Sequence, residues 1–281
     1  MEASKVKSLA AFATRIRMKV VEGTFHAKSG HPGGSMSIAD VLAYLYTEEL
    51  RVDPANPRWE DRDRFVMSKG HCAPALYGAL ALRGFFPEEE IKSLRHTGAM
   101  LQGHPCMTTT PGVDMSTGSL GQGVSTAVGM ALGARISGKD FRAYAILGDG
   151  EIQEGQVWEA AMFAAHKKLS NLCVIVDNNN LQIDGTVDEV NSPYPIPEKF
   201  AAFGFNVVEI DGHNFEQIAD AFAKARACTD KPTAIVMTTT KGKGVSFMEN
   251  QVGWHGKGPN AEEYELAMKE LQAALAAIEE G

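Results

Sequence analysis

Cysteine is scarce in this 281-residue sequence, which contains only Cys72, Cys106, Cys173 and Cys228. The four are widely spaced and form no Cys-x-x-Cys pair. This pattern argues against a disulfide framework and is typical of a cytoplasmic protein whose thiols stay reduced. Cys173 lies within an apolar run, so we predict that it is a core residue and not a catalytic thiol.

Long apolar stretches and basic clusters are also lacking. No run approaches the roughly 18 apolar residues of a membrane-spanning helix, and the N-terminus has no apolar segment typical of a secretory signal. The chain has 27 basic and 35 acidic residues and a formal net charge of −8. Without a basic block, neither a nucleic acid nor an anionic membrane is expected as a partner.

The 44% of hydrophobic residues is enough to bury the core of one sizeable α/β domain. Two apolar runs, Arg142–Leu147 and Leu172–Val176, are typical of buried parallel strands, and Glu154–Leu169 between them has helical spacing. Together they predict a strand–helix–strand unit. The other predicted helices are Ser4–Lys28, Ile38–Leu50 with Ser37 as its cap, Gly70–Leu82, Val124–Ile136, Phe215–Ala227 and one from Ala261. The other predicted strands are Arg64–Ser68, Asn206–Ile210 and Thr233–Thr239. We therefore expect a single domain over residues 1–281, a parallel sheet sandwiched by helices.

Polar residues follow both central strands. Asp149, between two glycines, comes after the first strand, and Asn179 comes after the second. The carboxyl ends of strands are where open α/β folds bind ligands. A carboxylate, an amide oxygen and the backbone carbonyl of Leu181 suit Mg²⁺, whose shell two diphosphate oxygens and a water would complete. The pattern is the one found in sites for thiamine diphosphate.

Four of the eight histidines lie in loops flanked by glycine or proline: His31, His71, His104 and His255. Loops at strand ends are where functional sites gather, and imidazole can donate or accept a hydrogen bond at neutral pH. The set predicts hydrogen bonding to a polyhydroxylated substrate and to a cofactor phosphate. His166 and His213 are instead predicted to be solvated or capping.

Six segments resemble transketolase and occur in that family's order, covering most of the chain from about residue 15 to 260. They are Lys28–Gly33, Ser68–His71, Gly103–Pro105, Thr117–Gly123, Gly148–Gly155 and Asp177–Gly185. Thr239–Gly244 and Trp254–Gly256 are similar to the end of the family's diphosphate-binding domain.

The resemblance implies the thiamine diphosphate-binding fold of the diphosphate (PP) type and a role for each matching residue. Mg²⁺ would be bound by Asp149, Asn179 and the carbonyl of Leu181. Thiamine diphosphate would be contacted by His71, Gly118, Ser119, Leu120, Asp149, Gly150, Asn179 and His255. The catalytic set would be His31, His104 and His255, facing the cofactor's reactive carbon and the sugar hydroxyls, with Glu154 at a subunit interface.

The resemblance also implies a transferase of carbohydrate metabolism and the pentose phosphate pathway. It would move a two-carbon glycolaldehyde unit from a ketose or ketose phosphate to an aldose or aldose phosphate. The family's pyrimidine-binding and C-terminal domains have no counterpart in this sequence. A C-terminal transketolase subunit would therefore act as partner, supply the glutamate that activates the cofactor, and form an α2β2 assembly.

Three alternatives differ from this interpretation. The chain could belong to another thiamine diphosphate enzyme, of the 2-oxo acid dehydrogenase or deoxyxylulose phosphate synthase type, although the full set of sugar-facing histidines would not be expected there. It could also be a non-catalytic binding or regulatory subunit. A nucleotide-binding Rossmann domain is disfavoured, because Gly118–Gly123 lacks the Gly-x-Gly-x-x-Gly spacing.

Overall fold

A computed structural model describes residues 1–280 of the chain. In chain order its strands are β1 (Arg64–Met67), β2 (Ala143–Gly148), β3 (Leu172–Asn178), β4 (Leu181–Gln182), β5 (Gly185–Thr186), β6 (Asn206–Asp211) and β7 (Thr233–Thr238). Five of them form one sheet in the order β1-β2-β3-β7-β6, and all neighbours in it are parallel. The short strands β4 and β5 form a separate antiparallel pair after β3.

The helices cover both faces of the sheet. They are α1 (Ala3–Ala27), α2 (Pro32–Met36), α3 (Ala39–Tyr44), α4 (Ala73–Leu82), α5 (Gln122–Ile136), α6 (Gly155–His166), α7 (Val187–Asn191), α8 (Ile196–Ala202), α9 (Phe215–Ala227) and α10 (Ala261–Glu280). None of the helices in residues 1–280 combines the length and the apolar character needed to cross a membrane.

Side chains alternate along the central strands, so that each face of the sheet has its own core. On one face Tyr144 and Ile146 pack in a cluster with apolar residues of α1, α3, α4 and α9. On the other, Ala145 and Leu147 pack with α5, α6 and α8. Because both faces are buried, these strands are nearly continuous apolar runs, as expected of a parallel sheet. The predicted sheet sandwiched by helices is confirmed.

The register of the sheet brings the two polar segments together. β2 and β3 pair in parallel so that Gly148 is opposite Asp177. The chain then leaves both strands at the same edge, and the amide of Asp149 donates to the carbonyl of Asp177 at 3.2 Å. The residues after β2 and β3 therefore lie side by side.

The glycines and the proline of residues 29–34 predict a loop, and residues 38–50 were predicted to form one helix. Both predictions were partly wrong. Residues 32–36 form α2, with Pro32 in its first turn, where a missing N–H has no cost. The predicted helix over residues 38–50 is α3 followed by a π turn over Leu45–Glu49. Ser37 does not cap a helix, because its buried hydroxyl donates to the Gly34 carbonyl and the Asp177 carboxylate. The other predicted elements are present, with ends that differ by no more than three residues.

Candidate functional site

A cleft of about 380 Å³ opens at the carboxyl ends of β2 and β3. It brings together these predicted site residues: His31, His71, Gly118, Leu120, Asp149, Gly150, Glu154, Asn179, Leu181 and His255. Residues from α2, from the loops after β1, β2, β3 and β7, and from the turn before α5 all contribute to its walls. Its position at the sheet edge agrees with the general placement of ligands in open α/β folds.

Three of the loop histidines form one cluster on the wall of the cleft. The ring centroids of His31 and His71 are 5.0 Å apart, those of His31 and His255 are 5.5 Å apart, and those of His71 and His255 are 5.3 Å apart. Burial lowers the pKa of His31 to about 4, of His71 to about 2 and of His255 to about 3, and neighbouring cations add to the effect. All three imidazoles are therefore neutral at physiological pH, and each offers one donor and one acceptor.

His104 and Ser119 do not line the cleft itself. The His104 ring packs on Gly118, which has φ +150°, and a Cβ there would lie 3.1 Å from the imidazole. Burial, followed by the charge of Arg95, lowers the pKa of His104. Ser119 is exposed, and its carbonyl accepts from the amide of Gln122 at the start of α5. His104 thus lies next to the cleft, behind a glycine that the cofactor is predicted to contact.

Asp149 is a buried carboxylate that lacks a cationic side chain in hydrogen-bond contact among residues 1–280. It accepts only from backbone amides, those of Gly150 at 2.8 Å and Asn180 at 2.5 Å. Burial and then the charge of Asp177 raise its pKa to about 6. A buried carboxylate held in this way is stabilised by a cation, so its environment fits a divalent metal.

Asn179 and Leu181 contribute neutral oxygens beside Asp149. The Asn179 amide donates from Nδ2 to Asp177 at 2.8 Å, which fixes its Oδ1 on the opposite side, where that atom accepts from the Leu181 amide at 3.1 Å. The Leu181 carbonyl accepts from Lys241 Nζ at 2.8 Å. A carbonyl oxygen has two lone pairs, so this contact leaves one for a cation. Carboxylate, amide and carbonyl oxygens are the donor set that Mg²⁺ prefers.

Asp177, which holds the Asn179 side chain, belongs to a buried ion pair with Lys69. The Lys69 ammonium contacts Asp177 at 2.5 Å, and the two side chains are 2% and 0% exposed. Burial alone would neutralise both groups, but their mutual attraction outweighs it, so the pKa of Lys69 is raised and that of Asp177 is lowered. Asp177 also accepts from Ser37, Thr239 and Asn179. Asp177 is part of the segment Asp177–Gly185, but its role in holding Lys69 and Asn179 was not predicted from the sequence.

Lys241 is a second residue that the sequence reasoning missed. It is 2% exposed and lines the cleft, where its Nζ contacts Leu181 and lies 2.9 Å from Nδ1 of His255. Burial lowers its pKa to about 8. Because a lysine has only donors, Nδ1 of His255 is the acceptor, and its Nε2 carries the proton. The only sequence feature that could have indicated a role for Lys241 is its position in the Lys-Gly-Lys-Gly segment that follows a strand.

Glu151 connects three loops around the cleft. One of its oxygens accepts from Ser68 at 2.6 Å and from the amide of Gly121 at 2.9 Å, and the other accepts from the amide of Gly148 at 3.1 Å. Burial raises its pKa. The carboxylate thus holds the ends of β1 and β2 against the turn before α5. By contrast, Glu154 lines the cleft but is exposed.

His213 was predicted to be solvated or capping, and this was wrong. Its side chain is 16% exposed, with Nδ1 2.7 Å from Asp40. Its Nε2 accepts from the amide of Thr240 at 2.9 Å. His213 therefore anchors the segment that carries Lys241, although it does not line the cleft.

A strand-edge cleft with buried oxygen donors, neutral histidines and a buried lysine is typical of α/β domains that bind a cofactor at the carboxyl ends of their strands. Comparison with known proteins narrows this class. The family described as "Transketolase, thiamine diphosphate binding domain" matches residues 8–274. The chain belongs to the transketolase family, as the resemblance predicted.

The related proteins are of two kinds: subunits of nearly the same length as this chain, and transketolases about twice as long. The chain is 46% identical over 260 residues to a 6-deoxy-6-sulfo-D-fructose transketolase subunit of Clostridium sp. (strain MSTE9), covering 92% of this chain and 94% of the relative. It is 42% identical over 275 residues to an apulose-4-phosphate transketolase subunit of Phocaeicola vulgatus, covering 98% of both. The crystal structure of transketolase from Campylobacter jejuni superposes with a TM-score of 0.88 at 33% identity, covering 99% of this chain but 46% of that one.

The fold and the family agree. The chain has the thiamine diphosphate-binding fold of transketolase and corresponds to the N-terminal part of the longer transketolases and to the whole of the related subunits. It is a transketolase subunit, and transketolases are transferases of two-carbon units. The predicted family, fold class and enzyme class are confirmed.

Proposed function

We propose that this chain is the diphosphate- and Mg²⁺-binding subunit of a two-chain transketolase. The observation that carries the proposal is the cleft itself, which Asp149 and Asn179 share with three neutral histidines. Mg²⁺ would be held by Asp149, Asn179 and the Leu181 carbonyl. The Lys241 ammonium would contribute positive charge to hold the diphosphate, and Gly118, Leu120 and Gly150, which line the same cleft, would contact the cofactor.

Thiamine diphosphate, when bound, supplies the electron sink that lets a carbon–carbon bond of a ketose break. The residues of this chain then position the sugar and exclude water. His31 and His255, neutral in their buried setting, would hydrogen-bond to sugar hydroxyls. His104, next to the cleft behind Gly118, would contact the donor sugar once the partner chain encloses the site.

A partner chain is the second part of the proposal. Relatives of nearly the same length are named as subunits, whereas the human transketolase shares 39% identity with this chain over only 40% of its own length. We infer that a C-terminal transketolase subunit supplies the glutamate that activates the cofactor, in an α2β2 assembly in the cytoplasm. Exposed Glu154 at the cleft rim would contact such a subunit.

The proposed substrates are those of a transketolase reaction, which transfers a two-carbon unit between sugars. We propose a ketose or ketose phosphate as donor and an aldose or aldose phosphate as acceptor. Two of the related subunits are named for ketoses that carry a sulfonate or a phosphate, which supports an anionic ketose as donor.

Cofactor titration tests the proposal. Calorimetric titration of the assembled complex with thiamine diphosphate and Mg²⁺ should show saturable binding that Asp149→Ala abolishes. Asp188→Ala, on an exposed turn in α7, is the matched control and should bind as the wild type does. Equal binding by the Asp149 variant would refute the metal assignment.

The donor substrate separates the alternatives. Turnover of a ketose phosphate but not of pyruvate supports a transketolase over an enzyme of the 2-oxo acid or deoxyxylulose phosphate type. Failure of the wild-type complex to bind the cofactor at all would instead favour a non-catalytic subunit.

A further inference from the structure

Arg95 does not line the cleft, yet it contacts two of the three loops that carry the predicted sugar-facing histidines, those of His31 and His104. Its guanidinium donates to Ser29 Oγ at 3.0 Å, to the Gly103 carbonyl at 3.4 Å, and lies 3.5 Å from Nδ1 of His31. Ser29 and His31 belong to the loop before α2, and Gly103 precedes His104. The resemblance to transketolase placed no role on this residue.

The backbone is shaped around this side chain. Arg95 has φ +61°, in the left-handed region that a non-glycine residue rarely adopts. Its amide donates to the Leu101 carbonyl at 2.9 Å, so the chain turns back on itself. The guanidinium then lies flat on Gly103, where a Cβ would be only 3.1 Å from Cζ and from Nε. A side chain at residue 103 would press on the guanidinium and displace it by a few tenths of an ångström.

The arrangement carries a cost. Nε of Arg95 is buried and finds no acceptor among residues 1–280, and burying a donor without an acceptor is unfavourable. A left-handed arginine with a buried unpaired donor is a strained feature, and such features gather where function requires them.

The contact with His31 has a chemical consequence. Arginine has donors only, so Nδ1 of His31 must accept and the ring proton must be on Nε2. Nε2 lies on the other edge of the ring, 3.7 Å from where a Cβ on Gly256 would be, and His31 lines the cleft. The ring of this cleft residue therefore has its N–H on the edge away from Arg95.

We propose that Arg95 is a positioning residue that joins the two histidine loops and fixes His31 as the tautomer that donates from Nε2 into the cleft. That this donor meets a sugar oxygen rests on the proposed function; the tautomer itself does not.

The charges around His31 favour the same state. Burial is the largest cause of its lowered pKa, followed by Arg95, His104 and Lys241. The rings of His71 and His255 also face it. Arg95 is the group among these that also lowers the pKa of His104. One guanidinium therefore adds to burial in lowering the pKa of two of the predicted sugar-facing histidines.

Histidine ring ¹⁵N NMR of the full chain tests the tautomer directly, with His31→Asn used to assign the His31 signals. In the wild type, Nδ1 should be unprotonated and Nε2 protonated from pH 8 to 5. Arg95→Met should shift these signals toward a tautomer mixture and raise the pH midpoint of His31 by about one unit, equivalent to a tenfold change in proton affinity. Arg95→Lys, which keeps the charge but not the planar fork, should restore the midpoint and not the tautomer.

Arg83→Met is the matched control, because Nε of Arg83 is also buried without an acceptor among residues 1–280 and Arg83 makes no hydrogen bond to a histidine there. In the assembled enzyme, Arg95→Met should lower kcat/KM for the ketose about tenfold, about 1.4 kcal/mol, and leave the Kd for thiamine diphosphate within about twofold. Unchanged His31 signals in Arg95→Met would overturn the proposal, and if that variant does not fold, unchanged signals in Arg95→Lys would do so. An inactive wild type would refute the proposed function alone, since the NMR result needs no turnover.

Discussion

The buried pair of Lys69 and Asp177 should contribute strongly to the stability of the cofactor-free chain, and Asp177→Asn tests this. The substitution keeps the size of the side chain and removes one charge. One carboxylate oxygen accepts from Lys69, Ser37 and Asn179, and the other accepts from Thr239. An asparagine can place its oxygen toward the three donors and its amino group toward the Thr239 hydroxyl, which can accept. The hydrogen bonds survive, so the change isolates the charge.

The size of the expected loss in stability follows from the burial of Lys69. Lys69 is 2% exposed, and its acceptors in residues 1–280 are Asp177 and the Gly34 carbonyl at 2.8 Å, so Asp177→Asn leaves its ammonium hydrogen-bonded to neutral groups only. Leaving one member of a buried pair uncompensated costs about 3–5 kcal/mol. For a chain of this size, a loss of that order lowers the melting temperature by about 5–8 °C.

Urea denaturation measures the free energy of unfolding, with Asp220→Asn as the matched control. Asp220 pairs with Lys224 on the surface, where the two side chains are 61% and 57% exposed, and such a pair contributes about 0–1 kcal/mol. The double variant Lys69→Met with Asp177→Asn should be less destabilised than the sum of the two single variants, by about 0.5–3 kcal/mol. A loss below about 1 kcal/mol for Asp177→Asn, or strict additivity, would refute the reasoning.

Three further predictions address other parts of the cleft. Glu151→Gln places an amino group against the Gly148 amide, so it should destabilise the chain by about 1–3 kcal/mol in urea denaturation; an unchanged midpoint would count against the loop-joining role. Since burial lowers the pKa of His71 to about 2, below the unfolded value near 6.5, its contribution to stability is full above pH 6.5 and is lost as the pH falls toward the folded value. Between pH 7 and 5, His71→Asn should therefore lose on the order of 1 kcal/mol less stability than the wild type, and equal losses would contradict the shift. Lys241→Met should weaken thiamine diphosphate binding by roughly 10- to 100-fold, the range of a charge-assisted hydrogen bond, whereas the half-exposed Lys243→Met should not; calorimetry that shows equal affinities would remove Lys241 from the site.

Local patterns predicted the sheet well. The runs that form β2 and β3 are apolar on both faces, and only a strand covered on both sides has that composition. Glycine and proline mark the loops between elements, so the alternation of strand and helix could be followed along most of the chain. The metal ligands Asp149 and Asn179 were predictable for the same reason, because they directly follow those strands.

Two predictions from local sequence patterns, those for Ser37 and His213, were wrong. Ser37 precedes a helical segment and has the side chain of a good cap, but its hydroxyl bonds to Asp177, which is 140 residues away in the sequence. His213 had no sequence neighbour that indicated burial, and its partner Asp40 belongs to α3. In both cases a buried carboxylate from a distant element determined where the side chain went.

The sequence by itself determined the α/β class, the family and the oxygen donors of the predicted metal site, because these depend on composition and on residues next to one another. Only the tertiary structure decided which distant groups meet. It placed Lys69 under Asp177, Lys241 beside His255, and Arg95 against the loop of His31. The charge state and tautomer of each histidine depend on burial and on cations brought from other loops, and neither quantity is present in a local stretch of sequence.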